Sequence, residues 1–111
     1  MEDWNTASVE CTKSGGYLAC IGSEEENSFI LNNVGASIQS VHIGLYSRGG
    51  YWKWINGEPV TFLGWASGEP NGGATGVAHL LCKADPVYSR QGYWNDTSPT
   101  ERHYFVLEKD Y

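Results

Sequence analysis

The sequence has few basic residues, and they never cluster. Seven Lys and Arg stand against thirteen Asp and Glu, which gives a formal charge of −6 over 111 residues. Proteins that neutralise phosphate groups need clustered cations, so nucleic acid and anionic membranes are poor partners. No apolar run approaches the roughly 18 residues of a membrane span, and no basic-then-apolar signal segment opens the chain. We therefore expect no membrane insertion.

Cysteine is also scarce, and its number is odd. Three cysteines leave at least one thiol unpaired within the chain. No Cys-x-x-Cys or Cys/His spacing typical of zinc sites is present. We expect Cys11 and Cys20 to be small buried apolar residues. The three thiols are predicted to be free, or to form at most one pair that joins Cys20 to Cys82 or to Cys11.

Large aromatic residues are plentiful by contrast. Five Trp, seven Tyr and three Phe can fill the core of a chain whose length allows one domain, residues 1–111. Four of the tryptophans could either bind a ligand or pack in the core, and we favour core packing for all of them: Trp52, Trp54, Trp65 and Trp94. Fourteen Gly, spread along the chain, indicate many tight turns.

Two helices are predicted in the first third of the chain. Asp3 can cap the first helix, which Gly15-Gly16 would stop. Ser23 with Glu26 forms a capping box for the second helix, and Gly35 would end it. The apolar stripe of the second helix is predicted to be Phe29, Ile30 and Val34.

From residue 41 onward the pattern changes to short strands separated by loops rich in glycine and proline. This order, helices and then strands, is typical of an α+β fold. The longest irregular stretch, residues 64–77, is long enough to be a functional loop. The predicted strands are Val41 to Leu45, Tyr51 to Ile55, His79 to Lys83 and His103 to Glu108.

Two short polar groups are candidates for binding chemistry. Glu69-Pro70-Asn71 lies in the long loop, and Trp94-Asn95-Asp96 precedes the last predicted strand. Each supplies a carboxylate and an amide oxygen, which are ligands that calcium accepts. Asn and Asp are also common in ordinary turns, so the residues alone leave a metal site and turn chemistry both open.

The order and spacing of several segments resemble the C-type lectin family. The resemblance runs from about residue 4 to the end of the chain and includes a closing strand at residues 104–108. The segments that carry it are Trp4…Ala7…Cys11, Gly15-Gly16-Tyr17-Leu18-Ala19, Ser23-Glu24-Glu25-Glu26-Asn27, Ile43-Gly44-Leu45, Trp52…Trp54…Gly57, Trp65…Gly68-Glu69-Pro70-Asn71 and Trp94-Asn95-Asp96.

This resemblance implies a C-type-lectin-like fold, with two helices packed on small antiparallel sheets and a long ligand-binding loop. It implies that Glu69, Asn71, Asn95 and Asp96 bind calcium and sugar hydroxyls together, with a cis bond between Glu69 and Pro70. The implied function is a calcium-dependent, non-catalytic module for mannose-type sugars. Its partners would be glycans or glycoproteins, and an oligomer is possible because several copies raise avidity.

The resemblance also implies a location outside the cell or at its surface, as part of a longer exported protein. The disulfides typical of the family are incomplete in this chain, however. Cys11 matches a family cysteine, but Leu107 stands where its disulfide partner is expected. The second pair is replaced by His79 and a residue near Pro99. A further acidic ligand of the family is replaced by Val77, which lowers the charge available to calcium.

These departures keep a second function open: a degenerate lectin-like domain that binds protein without calcium, or that is purely structural. An enzyme is not expected, because His79 and His103 have no Ser, Cys or carboxylate partner at a recognisable spacing. His42 is predicted to lie at a strand end and to pack against aromatic rings.

Overall fold

The computed structural model describes residues 1–34, 38–70, 76–82 and 91–109. Their elements form an α+β fold, as predicted, in which helices precede most of the strands. Among these residues, no helix is both long and apolar enough to cross a membrane. The elements are α1 (Trp4–Lys13), β1 (Tyr17–Leu18), α2 (Glu24–Val34), β2 (Ser40–Arg48), β3 (Tyr51–Trp54), β4 (Gly76–Leu81), β5 (Trp94–Thr97), β6 (Tyr104–Phe105) and β7 (Leu107–Glu108).

Helix α1 begins and ends as its sequence predicts. The Asp3 carboxylate accepts a hydrogen bond from the backbone N–H of Thr6 at 2.8 Å, which satisfies one free donor of the first turn. The chain leaves the helix through Gly15, whose φ of +83° is a conformation that glycine tolerates best. The Trp4 indole N–H donates to the Ile43 carbonyl at 2.9 Å, and this bond fixes α1 against β2.

Helix α2 also has the predicted cap, but its apolar face differs from the prediction. The Ser23 hydroxyl accepts from the Glu26 N–H at 3.2 Å, and the Glu26 carboxylate accepts from the Gly22 N–H at 3.0 Å. Phe29 was expected in the buried stripe, and this is wrong, because its side chain is 68% exposed. The predicted end at Gly35 lies outside the described residues. The residues that face the core are Asn27, Ile30, Leu31 and Val34.

The main sheet places four strands side by side in the order β3-β2-β4-β5, and β6 pairs in parallel with β2. A second sheet joins β1 to β7. Three of the four predicted strands lie in these positions, with ends shifted by a few residues, and Lys83 falls outside the described residues. The predicted strand from His103 to Glu108 is instead two short strands, β6 and β7, which belong to different sheets. The sequence prediction missed β5, because Asn95 and Asp96 are poor strand formers. Their position in a strand decides where their side chains can point.

The core combines mostly aliphatic side chains with buried tryptophans and all three cysteines. Trp54 and Trp94 are buried, while Trp52 and Trp65 pack partly exposed against the same cluster. All three cysteines are free and buried, which confirms the prediction. Burial raises the pKa of Cys20 to about 12 and that of Cys82 to about 11, so both thiols stay protonated near neutral pH.

Candidate functional site

The two polar groups predicted to bind a ligand are carried by segments that hydrogen-bond to each other. The Trp94 N–H donates to the Gly64 carbonyl at 2.7 Å, and the Ala66 N–H donates to the Trp94 carbonyl at 2.9 Å. Trp65 and Trp94 thus form a parallel bridge. The long loop therefore begins directly beside the strand that contains Asn95 and Asp96.

A tight turn then leads the loop to Glu69. The Glu69 N–H donates to the Ala66 carbonyl at 3.0 Å, and Gly68 has a φ of +82°, which the turn requires. Gly64 is needed for a different reason, because a Cβ there would lie 2.8 Å from the Trp94 ring. The Glu69-Pro70 bond is cis, as predicted. Asn71, the third residue of the triplet, lies outside the described residues.

Asn95 and Asp96 are both half-buried residues of β5. Asn95 pairs with His79, and Asp96 pairs with Ala78 on β4. Side chains of paired residues share a face of the sheet, and successive residues point to opposite faces. The Asn95 side chain therefore lies on the same face of the sheet as His79, whereas the Asp96 side chain lies on the opposite face. The two side chains approach any shared ligand from different sides of the strand.

Val77 occupies the position where the family resemblance called for a further acidic ligand. It pairs with Thr97 and is 3% exposed. Its side chain belongs to the cluster of Trp4, Ala7, Cys11 and Leu18, which is separate from the cluster that holds Leu80. Val77 is thus a core residue between α1 and the sheet.

The donor chemistry of the remaining candidates is compatible with a hard cation. Glu69 and Asp96 supply carboxylates, and Asn95 supplies an amide oxygen. Calcium binds such oxygen donors in loose geometry, whereas zinc prefers nitrogen and sulfur. The described candidates therefore fit calcium by ligand type, with two formal negative charges.

Local spacing gave His103 no polar side-chain partner, and the structure shows two. The Ser40 hydroxyl lies 2.6 Å from Nδ1 of His103, and Glu101 Oε1 lies 2.7 Å from Nε2. The order Ser, His, Glu is also that of a hydrolytic triad, but Ser40 is only 4% exposed, so a substrate cannot reach its hydroxyl. Ser40 is 63 residues from His103 and meets it through the β2–β6 pairing, which no local motif reveals.

The other two histidines surround His103. His42 was expected at a strand end, but it is the third residue of β2 and is fully buried. Its ring packs edge-on to the His103 ring, with centroids 5.0 Å apart. The ring of His79, on β4, also packs against His103, with centroids 4.4 Å apart. Burial lowers the pKa of His79 to about 4 and also lowers the pKa of His42. Both rings are therefore neutral at pH 7.

A family model described as the lectin C-type domain matches residues 1–109. The secretory phospholipase A2 receptor of Bos taurus is 32% identical over 117 residues, which cover 97% of this chain. The same match covers 8% of the receptor, so the chain corresponds to a small part of that relative.

Solved structures show the same fold. CEL-IV superimposes with a TM-score of 0.80 at 27% identity, covering 93% of this chain and 78% of that one. The carbohydrate-recognition domain of cow CD23, crystallised in the presence of a GlcNAc2Man3 oligosaccharide, gives a TM-score of 0.77 at 25% identity. That match covers 94% of this chain and 76% of the CD23 domain.

Proposed function

Because this chain belongs to the lectin C-type domain family, whose members are not enzymes and include domains solved with glycans, we propose that it binds mannose-type glycans through calcium. The observation that carries this proposal is the pairing of Gly64 and Ala66 with Trp94. This pairing holds the loop of Glu69 beside the strand of Asp96. The pairing supports assigning two carboxylates from distant parts of the sequence to one ion.

The proposed ligands are Glu69, Asn71, Asn95 and Asp96. Calcium, when bound, would coordinate two neighbouring hydroxyls of the sugar and so complete its shell of oxygens. Glu69 would accept a hydrogen bond from one hydroxyl, while the Asn71 amide would donate to another. The side chains of Asn95 and Asp96 point to opposite faces of β5. We therefore propose that Asp96 and Glu69 are the two charged calcium ligands and that Asn95 is a weaker, uncharged ligand.

The proposed calcium site is weak. Val77 contributes no carboxylate, so only Glu69 and Asp96 carry formal charge. Extracellular sites of low charge have dissociation constants of about 10⁻⁴–10⁻³ M. At about 1 mM calcium, such a site stabilises the fold by about 0.4–1.4 kcal/mol. Useful affinity for a glycan would then require several copies, either in an oligomer or in repeated domains.

A glycan array, run with calcium and again with a chelator, tests the proposal. We expect binding to mannose, fucose or N-acetylglucosamine ligands that the chelator abolishes. Asp96→Asn should remove both this binding and the calcium-induced rise in melting temperature. Glu58→Gln, which changes an exposed carboxylate on another loop, is the matched control and should alter neither. Glycan binding that persists in the chelator would contradict the calcium mechanism.

A second candidate function is calcium-independent binding of a protein. The buried Val77 favours it, since the site lacks one acidic ligand. The similar receptor from Bos taurus is named for a protein ligand, secretory phospholipase A2. This alternative predicts that the Asp96→Asn variant keeps its partner, and that calcium leaves the melting temperature unchanged. The same pair of measurements therefore separates the two functions.

We further propose that the domain works outside the cell or at its surface, within a longer exported protein. Support comes from the relatives, which include receptors much longer than this chain. Surface labelling of intact cells that express the full-length protein, with a domain-specific antibody, tests the location. Labelling only after permeabilisation would contradict it.

A further inference from the structure

All three histidines of the chain lie in one cluster, although 37 and 24 residues separate them along the sequence. The rings of His42 and His79 both pack against His103, and these two residues are paired across β2 and β4. One ring nitrogen and one carboxylate oxygen are already adjacent, since His103 Nε2 and Glu101 Oε1 are 2.7 Å apart. Ligand atoms of His79, Glu101 and His103 all lie within 4.8 Å of one another.

His79 is the unusual member of this cluster. Its residue is 6% exposed, and neither ring nitrogen has a hydrogen-bond partner among the described residues. Buried polar groups are nearly always hydrogen-bonded, and an orphaned one often marks a missing water or ion. Burial keeps the ring neutral, so a nitrogen lone pair is available to a metal. His79 therefore has a metal-binding nitrogen that nothing else in the described structure uses.

We propose that His79, Glu101 and His103 form a binding site for a zinc-type divalent cation, separate from the calcium site. Two imidazole nitrogens and one carboxylate oxygen are ligands that zinc prefers, and water can take the fourth position. Calcium, which selects oxygen donors, is a poor fit to the same three groups. The inference does not depend on the proposed glycan binding.

Only a small movement would assemble this site. Ligand atoms around tetrahedral zinc are about 3.3 Å apart, from metal–ligand bonds of about 2.0–2.2 Å. The separations that exceed this value must therefore shrink by no more than about 1.5 Å. His103 Nε2 and Glu101 Oε1, now 2.7 Å apart, must move apart by about 0.6 Å. The Glu101 side chain is 51% exposed, so it can swing inward and also marks the side from which an ion enters.

Ser40 is suited to orient His103 in this site. Its hydroxyl lies 2.6 Å from Nδ1 of His103. Without metal, the Glu101 carboxylate can only accept from Nε2–H, so the Ser40 hydroxyl donates to Nδ1. When zinc takes the place of the Nε2 proton, that proton can move to Nδ1, and the Ser40 oxygen then accepts the Nδ1–H. The tautomer that results leaves the Nε2 lone pair for the metal, which is the usual arrangement around a ligating histidine. Ser40 is thus a positioning residue and not a ligand. The bound ion would tie β4, through His79, to the segment that leads into β6.

Zinc titration of the chelator-treated protein by calorimetry tests the inference. We expect one equivalent to bind, and Glu101→Gln to weaken the affinity at least tenfold. Glu10→Gln is the matched control, because Glu10 is also a half-exposed carboxylate, on α1, and it should bind zinc as the parent does. His79→Phe keeps an aromatic ring in the buried position and should also weaken binding at least tenfold.

Nitrogen-15 spectra of the histidine rings identify the ligands directly. Zinc should shift the ring signals of His79 and His103, and millimolar calcium should neither shift them nor compete. Equal zinc affinity in the parent, Glu101→Gln and His79→Phe proteins would overturn the proposal, as would no binding at all. The calcium response of Glu101→Gln should match that of the parent, so failure here is distinguishable from failure of the glycan site.

Discussion

The indole N–H of Trp94 donates a 2.8 Å hydrogen bond to the side-chain oxygen of Asn27, 67 residues away in sequence. The Asn27 amide in turn donates to the Gly92 carbonyl at 2.7 Å. Both residues are buried, so the bonds satisfy polar groups that water cannot reach. Helix α2 thereby holds the strand that begins one residue before Asn95.

We expect Asn27→Ala to destabilise the fold by about 2–3 kcal/mol, since it leaves two buried polar groups unsatisfied. Urea unfolding measures the change. Asn33→Ala, on the exposed face of the same helix, is the control and should stay within about 0.5 kcal/mol of the parent. Equal stability of the two variants would show that the Asn27 bonds contribute nothing net.

Val77→Glu tests the placement of Val77 in the core. A carboxylate buried among Trp4 and its neighbours has no partner, so the variant should lose several kcal/mol of stability with and without calcium. Thermal melts in calcium and in chelator measure this loss. Val9→Glu makes the same change at a residue that is 53% exposed and should be nearly neutral. A Val77→Glu protein that instead gained calcium affinity would place residue 77 at the ion.

Exchanging the amide and the carboxylate of the long loop tests sugar selection. The double substitution Glu69→Gln with Asn71→Asp reverses the donor and acceptor offered to the two hydroxyls. We expect weaker mannose binding and a gain for galactose, while the calcium response persists because the charge count is unchanged. Competition with free monosaccharides measures the preference. An unchanged mannose preference would show that these two side chains do not select the sugar.

Thiol reactivity should follow burial. A disulfide-exchange reagent at pH 8 should find almost no reactive thiol in the native protein and three after denaturation without reductant. Burial raises the pKa of each cysteine, so little thiolate exists at that pH. Melting temperatures with and without reductant should agree. A denatured count of one would reveal a disulfide.

Stability in a chelator should fall as the solution becomes acidic. Burial lowers the pKa of His79 to about 4, while an unfolded histidine has a pKa of about 6.5. Between these two pH values the unfolded chain binds a proton at His79 and the folded chain does not. The free energy of unfolding therefore falls by about 3 kcal/mol as the pH drops from 6.5 to 4. Neighbouring His42, His103, Glu101 and Asp96 modify this loss. Urea unfolding of His79→Phe should give a flatter profile, and an equally steep one would assign the loss elsewhere.

Sequence predicted best what depends on neighbouring residues. The caps at Asp3 and Ser23 are local hydrogen bonds, and both are present. Phe29 was misplaced because helical spacing defines a stripe, while tertiary packing decides which stripe is covered. Ser40 and His103 meet only through a parallel pairing of distant strands, so spacing could not predict their contact. Asn95 and Asp96 were candidates from their polar chemistry, and the family resemblance implied their roles, but their opposite orientations follow from the strand that the prediction missed.

The tryptophans around Trp94 have an optical consequence. Trp52 lies 4.8 Å from Trp65, Trp65 lies 5.9 Å from Trp94, and Trp94 lies 5.5 Å from Trp54, all edge to face. Indoles at such distances exchange excitation energy, so their fluorescence and near-ultraviolet circular dichroism behave as those of one chromophore. Its two inner members are Trp65, which precedes Glu69 by four residues, and Trp94, which adjoins Asn95. Tryptophan fluorescence is therefore a label-free way to follow binding at the proposed site.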